Sequence, residues 1–514
     1  MIWSYNDCGS GGTQPNKSGM STDWFIWVGQ YTGDRGIIDH RIYQIENGLK
    51  SPSIYDMFCY KPEYSGVETI DLPLSYYMEG LKTYCGAYSV RSSWEKGAMT
   101  CSIIGGTNAV AHADVDAGAF MYWNDGKAWI WDLGADNYNL YSFFGASYGS
   151  NGSLPNRFRY YRHGAEGNNV LVLASRQDVL PFGQRVKGVA PLQRQYADEY
   201  GAYAIYEMID IYSSDPELSG TKSPLVNTAI RGVMATDDYQ TIVLQDEVSS
   251  TKMETYYWFA HFSDETIKTT FSADNRVCYM IYKEADRDPV TNEPHYSVLR
   301  LTIVSPDSSD KFYVTDTGDD AMVFDATFRY GTHQNYPEQL ENSRETARRL
   351  CIKRENKTNF NLAVVFEMLP DAFYNPKTGI IDIAGGQDTY PCSYKWTNMF
   401  RWAPKAAVEQ DFEVEEEVKE EVLSVTDLQV YSTIAKQYVN AGTAYNADFY
   451  NLFDAISRVQ RVWDKWGTSE MVKPFESGYN DCEDYIRNYN RIKNQINQGS
   501  EYACKIAKNF AGMR

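Results

Sequence analysis

The stretch AHADVDAGAFMYWNDGKAWIWDLG, residues 111–134, carries His112, Asp114 and Asp116 at alternate positions and Asp132 near its far end. In extended backbone this alternation puts the first three on one face. Asn124-Asp125-Gly126 signals a tight turn, with Asp125-Gly126 as a two-residue hairpin loop between aromatic and apolar strands. Counting back from that loop places Asp132 opposite Ala119. One imidazole and three carboxylates are then expected to converge at the end of a very aromatic hairpin. Carboxylates crowd in this way where a metal, a cationic substrate or bulk water compensates their repulsion.

Two other stretches supply cations. In RFRYYRHGAEGNNVLVLASRQDVLPFG, residues 157–183, Arg157, Arg159, Arg162 and His163 precede a glycine-rich turn, and Asn168-Asn169 lead into an apolar strand. Guanidinium forks suit carboxylate and sulfate groups, and Tyr160 and Tyr161 between them can stack on sugar rings. The plainer reading of the same text is an edge strand with alternating solvated arginines. In YCGAYSVRSSWEKGAMTCSIIGG, residues 84–106, Arg91 and Trp94 precede another apolar strand.

The elements that position these residues read as mainly β. From about residue 70 to 400, short runs rich in Val, Ile, Tyr, Phe and Trp alternate with turn clusters such as GSNGSLPNR and EADRDPVTNEP, the texture of a large antiparallel β-sandwich. Residues 1–70 contain helical patterning. The acidic run within 411–422 marks a linker, and 423–514 show apolar spacings of three and four that predict a helical bundle, read as a packing or protein-contact module. The expected domains are thus 1–70, 71–410 and 423–514, with 411–422 between the last two.

Bulk properties narrow the function. A net charge of −20 argues against nucleic-acid partners. The aromatic share of 15%, with 41 Tyr and 12 Trp, favours carbohydrate. Nine cysteines without CxxC pairs point to mostly free thiols. Residues 1–20 lack the apolar core of a signal peptide, and no apolar run is long enough to span a bilayer.

Taken in order, RSSW from Arg91, HADVDAGAF from His112, WDLG from Trp131 and AEGNNV from Ala165 resemble the heparinase II/III-like polysaccharide lyases. The later stretch RGVMATDDYQTIVLQDEV, followed by YYWFAHF with His261, fits the same family's inter-strand pattern. The resemblance covers roughly residues 20–400. It implies an α/α toroid followed by an antiparallel β-sandwich, of which 1–70 would be a short remnant of the toroid. A toroid-bearing N-terminal segment or a second chain would supply the rest, including the general-acid tyrosine. The implied activity is eliminative cleavage of a uronic-acid polysaccharide such as a glycosaminoglycan or alginate, and the implied location is periplasmic or secreted.

Elimination requires neutralisation of the uronate carboxylate, removal of the C5 proton and protonation of the leaving O4. By the resemblance, His112 is the active-site histidine, as base or as carboxylate neutraliser. Arg91, Arg162, His163 and Tyr161 are the expected contacts to anionic substrate. The family's metal positions fall on Asp114, Asp132 and Asn168, and Asp116 is expected to orient the hairpin turn. Two of those metal positions are histidine in the family, so an all-oxygen set points to calcium, manganese or magnesium rather than zinc. Two alternatives are uronate C5 epimerisation, which shares the proton abstraction, and a catalytically inactive carbohydrate-binding or structural module.

Overall fold

The computed structural model describes residues 21–402 apart from 69, 71, 80–85, 96, 110–111, 149–153, 177, 264, 288–293, 317–346, 370–371, 376–379 and 384–391. The chain divides into two units, 1–191 with 196–409 and 192–195 with 410–514. The expected acidic linker and C-terminal helical bundle lie outside the described residues.

Three helices come first: α1 (Phe25–Thr32), α2 (Arg35–Glu46) and α3 (Ile54–Cys59). Each boundary has a local cause. Gly33 ends α1 in the left-handed conformation, and Asp34 caps α2 by accepting from the Ile37 amide. Ser53 and Asp56 form a reciprocal capping box at the start of α3. Asp56 also holds the fully buried Arg41 of α2. Ile26, Ile38, Ile42 and Tyr64 pack into a small apolar cluster between these elements.

The remaining elements are almost all strands, in antiparallel sheets. The first sheet runs β1 (Ser75–Glu79), β2 (Gly86–Arg91), β3 (Thr100–Thr107), β4 (Phe120–Asn124) and β5 (Lys127–Ile130) in spatial order. Next along the chain are β6 (Ala146–Tyr148) and β7 (Leu154–Pro155), which pair with each other. They are followed by β8 (Leu171–Leu173), β9 (Val189–Ala190), which joins β3, and β10 (Leu192–Ala197). The second sheet uses β11 (Ala202–Glu207), β12 (Val226–Thr236), β13 (Thr241–Ser263), β14 (Thr266–Phe271), β15 (Val277–Arg287), β16 (Pro294–Val304), β17 (Phe312–Asp316) and β18 (Ala347–Met368). Its central order is β11-β12-β13-β18-β16-β15-β14, with β17 on β18 and β8 on β13.

The two sheets meet through aromatic side chains of the β4–β5 hairpin. Phe120 packs on Trp258 and Phe366, Tyr122 on Phe366, and Trp129 on Tyr282. The other face is covered as well, since Met121, Trp123 and Ala128 share a core cluster with Phe158, Val170 and Phe182. Burial on both faces explains why this hairpin reads as a nearly continuous aromatic run.

Asp125 (φ 54°) and Gly126 (φ 69°) form the expected two-residue turn, with both central residues at positive φ. Three expectations change. A register shift between Tyr122 and Trp123 pairs Tyr122 with Ile130, which displaces the simple count to Asp132. Residues 112–119 are not a strand either. The Ala119 amide donates to the Asp116 carbonyl and Gly118 sits at φ 84°, so the pleat begins only at Phe120. Nor is 157–169 an edge strand. It folds as consecutive single turns of 3₁₀ helix, and any Cβ at Gly167 would lie 2.1 Å from the Tyr161 carbonyl oxygen.

Candidate active site

The base of the β4–β5 hairpin is clamped by side chains from three other segments. Asn169 donates through Nδ2 to the carbonyls of Phe120 (2.8 Å), the first residue of β4, and Trp131 (2.9 Å), the residue after β5. Its Oδ1 accepts from the backbone amide of His261. Arg231 on β12 donates through Nη1 to the carbonyls of Gly118 and Asn169, and its Nε and Nη2 form a two-pronged pair with Asp246 on β13. All three side chains are buried. A Cβ at Gly118 would press on Arg231 from a left-handed backbone, so glycine is required there. On the loop's other flank, Asn108 accepts from the Ala117 amide and Gln184 donates to the Ala117 carbonyl.

Above this clamp lies a buried charged layer. Asp114 pairs with His163 Nδ1, and the Val115 amide donates to the His163 carbonyl at 2.9 Å. Arg162 donates to the carbonyls of Leu133 (2.9 Å) and Ala135 (2.7 Å), fixing the chain that leaves β5. Burial, and then the charges of Asp114 and Asp116, push the Asp132 carboxyl well above its ordinary range. Burial also pulls the Arg162 guanidinium down to about 10, against the pull of Asp136, Asp132 and Asp114. The imidazole of His261 is held well below its usual value by burial and by Arg349. Its Nε2 faces the Tyr161 hydroxyl at 3.0 Å.

The outer layer carries the exposed groups. His112 is exposed and sits at φ 62°, a left-handed conformation costing a side-chain-bearing residue roughly 1–2 kcal/mol. Its Nδ1 lies 2.9 Å from the hydroxyl of Tyr138, and the two rings stack. Tyr138 rests on Phe143, which meets the edge of His163 below, while Phe144 packs edge-on against Tyr138 and stays exposed. The result is an imidazole–phenol pair on an aromatic shelf, supported from beneath by Asp114–His163 and Arg162.

The structure sorts the expected site residues differently from the sequence. It brings His112, Asp114, Asp132, His163, Arg162 and Asn168 into one region. Tyr161, Arg162 and His163, expected to touch substrate, are instead fully buried and committed to backbone or side-chain partners, so they brace the loops. Arg91 is placed elsewhere. It pairs with Thr100, which pairs with Trp123 beside the turn, three residues or about 10 Å along the strand from the hairpin base and two strands across. Tyr138 escaped sequence reasoning because nothing in GADNYNLYSFFG distinguishes it from the other tyrosines. Its one signal is a position six residues beyond Asp132.

Three observations bear on the expected metal set. Asp132 Oδ2 and Asn168 Oδ1 are buried and accept no hydrogen bond among the described residues. They are oxygens of the kind calcium or manganese take; calcium needs six to eight such ligands, and Asp114 meets His163 through Oδ1. Among the described residues no three His, Cys, Asp or Glu side chains are grouped to hold an ion.

Asp132 offers a direct check. With its proton affinity raised by folding, the stability it contributes is present in acid and is lost as pH rises through the folded-state value. Asparagine would keep the acceptor that holds the Gly134 amide at 2.8 Å and remove the charge. Asp132→Asn is expected to raise the urea midpoint relative to wild type at mildly alkaline pH, with the gain shrinking on acidification. A wild-type midpoint raised by calcium or manganese, with no rise in the variant, would instead support the metal reading; saturation at a hundred times Kd adds about 2.7 kcal/mol.

No model of a known family and no curated protein matches this sequence. Among solved structures the chain is similar to the heparan sulfate lyase HepC from Pedobacter heparinus, with 13% identity and a TM-score of 0.38 over 65% of this chain and 42% of that one. It is also similar to a heparinase III, at 12% identity and a TM-score of 0.36 over 55% and 35%. A third similarity is to a putative mutarotase from Salmonella typhimurium, at 10% identity and a TM-score of 0.24 over 57% and 96%. The chain spans less than half the length of the lyase structures. No helix among the described residues is long and apolar enough to cross a membrane.

Proposed function

We propose that this chain acts on an anionic, uronic-acid-containing polysaccharide by β-elimination, with His112 and Tyr138 as the proton-moving pair. The observation that carries this reading is the exposed His112 side chain, on left-handed backbone, with Nδ1 2.9 Å from the Tyr138 hydroxyl. Imidazole and phenol in contact can take one proton and give another, which is what elimination needs.

In the proposed step His112 Nε2 takes the C5 proton, the C–H electron pair forms the C4=C5 double bond, and the C4–O4 bond breaks. The phenol of Tyr138 gives its proton to O4. The imidazolium then passes its Nδ1 proton to the phenolate across their hydrogen bond, which restores the phenol and leaves the proton taken from C5 on Nε2; the exposed imidazole exchanges it with water to regain its starting tautomer. Phe144 and Tyr138 offer apolar faces for a sugar ring. The buried layer beneath holds the two loops that present His112 and Tyr138, so that the pair is preorganised.

The test is to incubate the chain with a panel of uronic polysaccharides and follow near-ultraviolet absorption from the new double bond. Saturable absorbance growth is the expected result. Binding of the same polysaccharides with no absorbance would overturn the lyase reading and leave a carbohydrate-binding module. Inversion at C5 without cleavage would identify an epimerase.

A further inference from the structure

A second group of unused donors lies where the helices meet the first sheet. Arg91, at the end of β2, is half-buried, with its guanidinium carbon 4.0 Å above the ring of Trp94. That indole is fixed by its Nε1 donating to the Leu72 carbonyl at 3.1 Å. His40 of α2 meets the same indole edge-on at 4.9 Å, and Tyr76 of β1 meets it at 6.4 Å. Among the described residues the Arg91 side chain has no carboxylate partner and no hydrogen bond, while its backbone amide donates to the Leu74 carbonyl. In a chain of net charge −20, such an arginine is conspicuous.

A chain of hydrogen bonds sets the polarity of His40. Arg41 Nη1 donates to the Thr22 hydroxyl at 3.0 Å, so that hydroxyl directs its own proton to Gln44 Oε1 at 2.6 Å. The Gln44 amide nitrogen then donates to His40 Nε2 at 3.0 Å. An imidazole that accepts at Nε2 carries its proton on Nδ1. That nitrogen is buried and has no partner among the described residues. An N–H and a guanidinium, both lacking acceptors, therefore stand over one indole.

Donors left in this state are costly unless an acceptor arrives. We propose that Arg91, His40 and Trp94 form an oxyanion-binding site, separate from the His112–Tyr138 pair, that takes a carboxylate or sulfate group of an acidic saccharide. The guanidinium supplies two parallel donors and the charge, and His40 Nδ1–H supplies a third donor. This deepens the functional reading above and rests on it only for the saccharide as the source of the anion. The site is read by equilibrium binding, whereas the reaction is read by absorbance, so the two can fail independently.

The experiment is calorimetric titration of the full chain with a saturated-end uronate oligosaccharide, with inorganic sulfate and with a neutral oligosaccharide. The His112→Ala background prevents turnover. Saturable binding of the uronate or of sulfate, weakened about tenfold or more by Arg91→Gln, is the expected result. His40→Phe, which keeps a ring against Trp94 and removes both nitrogens, should weaken it severalfold and guards against a folding failure in the arginine variant. Tighter binding of the uronate assigns the saccharide as source, and tighter binding of sulfate assigns a free anion to the same site. Equal binding of the neutral oligosaccharide, no binding of either anion, or wild-type affinity in folded Arg91→Gln overturns the proposal.

Discussion

Asp246→Ala is expected to destabilise the protein by about 3–5 kcal/mol, the range for breaking a buried ion pair by removing one partner. Arg231 and Asp246 are both buried and joined by two hydrogen bonds, at 2.7 and 2.9 Å. Removing the carboxylate leaves the guanidinium charged in the core with only the carbonyls of Gly118 and Asn169 as acceptors. Since whole domains are stable by only about 5–15 kcal/mol, the loss should be plain in urea unfolding. Arg231→Met combined with Asp246→Leu removes both charges and should recover part of it. Recovery should be incomplete because the two carbonyls still lose their donor. An Asp246→Ala variant within about 1 kcal/mol of wild type would show that this pair does not hold the hairpin base.

Loss of the His112 side chain should act on rate and leave stability nearly alone. General acid–base groups contribute about 10²–10⁴-fold, so His112→Ala should reduce the rate of the proposed elimination by that factor. The residue is exposed, so its unfolding midpoint should stay within about 0.5 kcal/mol of wild type. Tyr138→Phe distinguishes a working phenol from a supporting ring. The ring contacts with Phe143 and Phe144 remain, and only the hydroxyl that meets His112 is removed. A fall in kcat with KM little changed fits the proton relay. Unchanged kcat in Tyr138→Phe would remove Tyr138 from the mechanism, and unchanged activity in His112→Ala would sink the site itself.

These two predictions separate roles that the sequence merges. The motifs that carried the family resemblance turn out to be largely scaffold. DAGAF supplies Gly118, AEGNNV supplies Asn169, and the stretch from Arg231 to Val248 supplies the Arg231–Asp246 pair. Together they make one clamp at the hairpin base. Their spacing is legible in sequence because each needs a special residue type: a glycine at positive φ, an amide tying the start of β4 to the residue after β5, or a buried fork.

Other features could not be read in one dimension. Alternation at 112, 114 and 116 suggested a pleat, but turn formation at Asp116–Ala119 overrides it. The cationic text at 157–163 looked like a surface. Arg162 and His163 are instead drawn inward, because backbone carbonyls and Asp114 there provide the partners a buried cation needs. Tyr138 has no spacing signal, since its meeting with His112 depends on how two loops 26 residues apart are folded back together.

The residue pattern alone carries the mainly antiparallel β architecture and the Asp125-Gly126 turn. These follow from local chemistry: residue periodicity, turn propensity and a short loop between strands. Only the tertiary structure decided which polar groups are buried braces and which face solvent. It also decided that Arg91 belongs with His40 rather than with His112. Burial and partner choice depend on what distant segments place opposite a side chain, and no spacing along the chain encodes that.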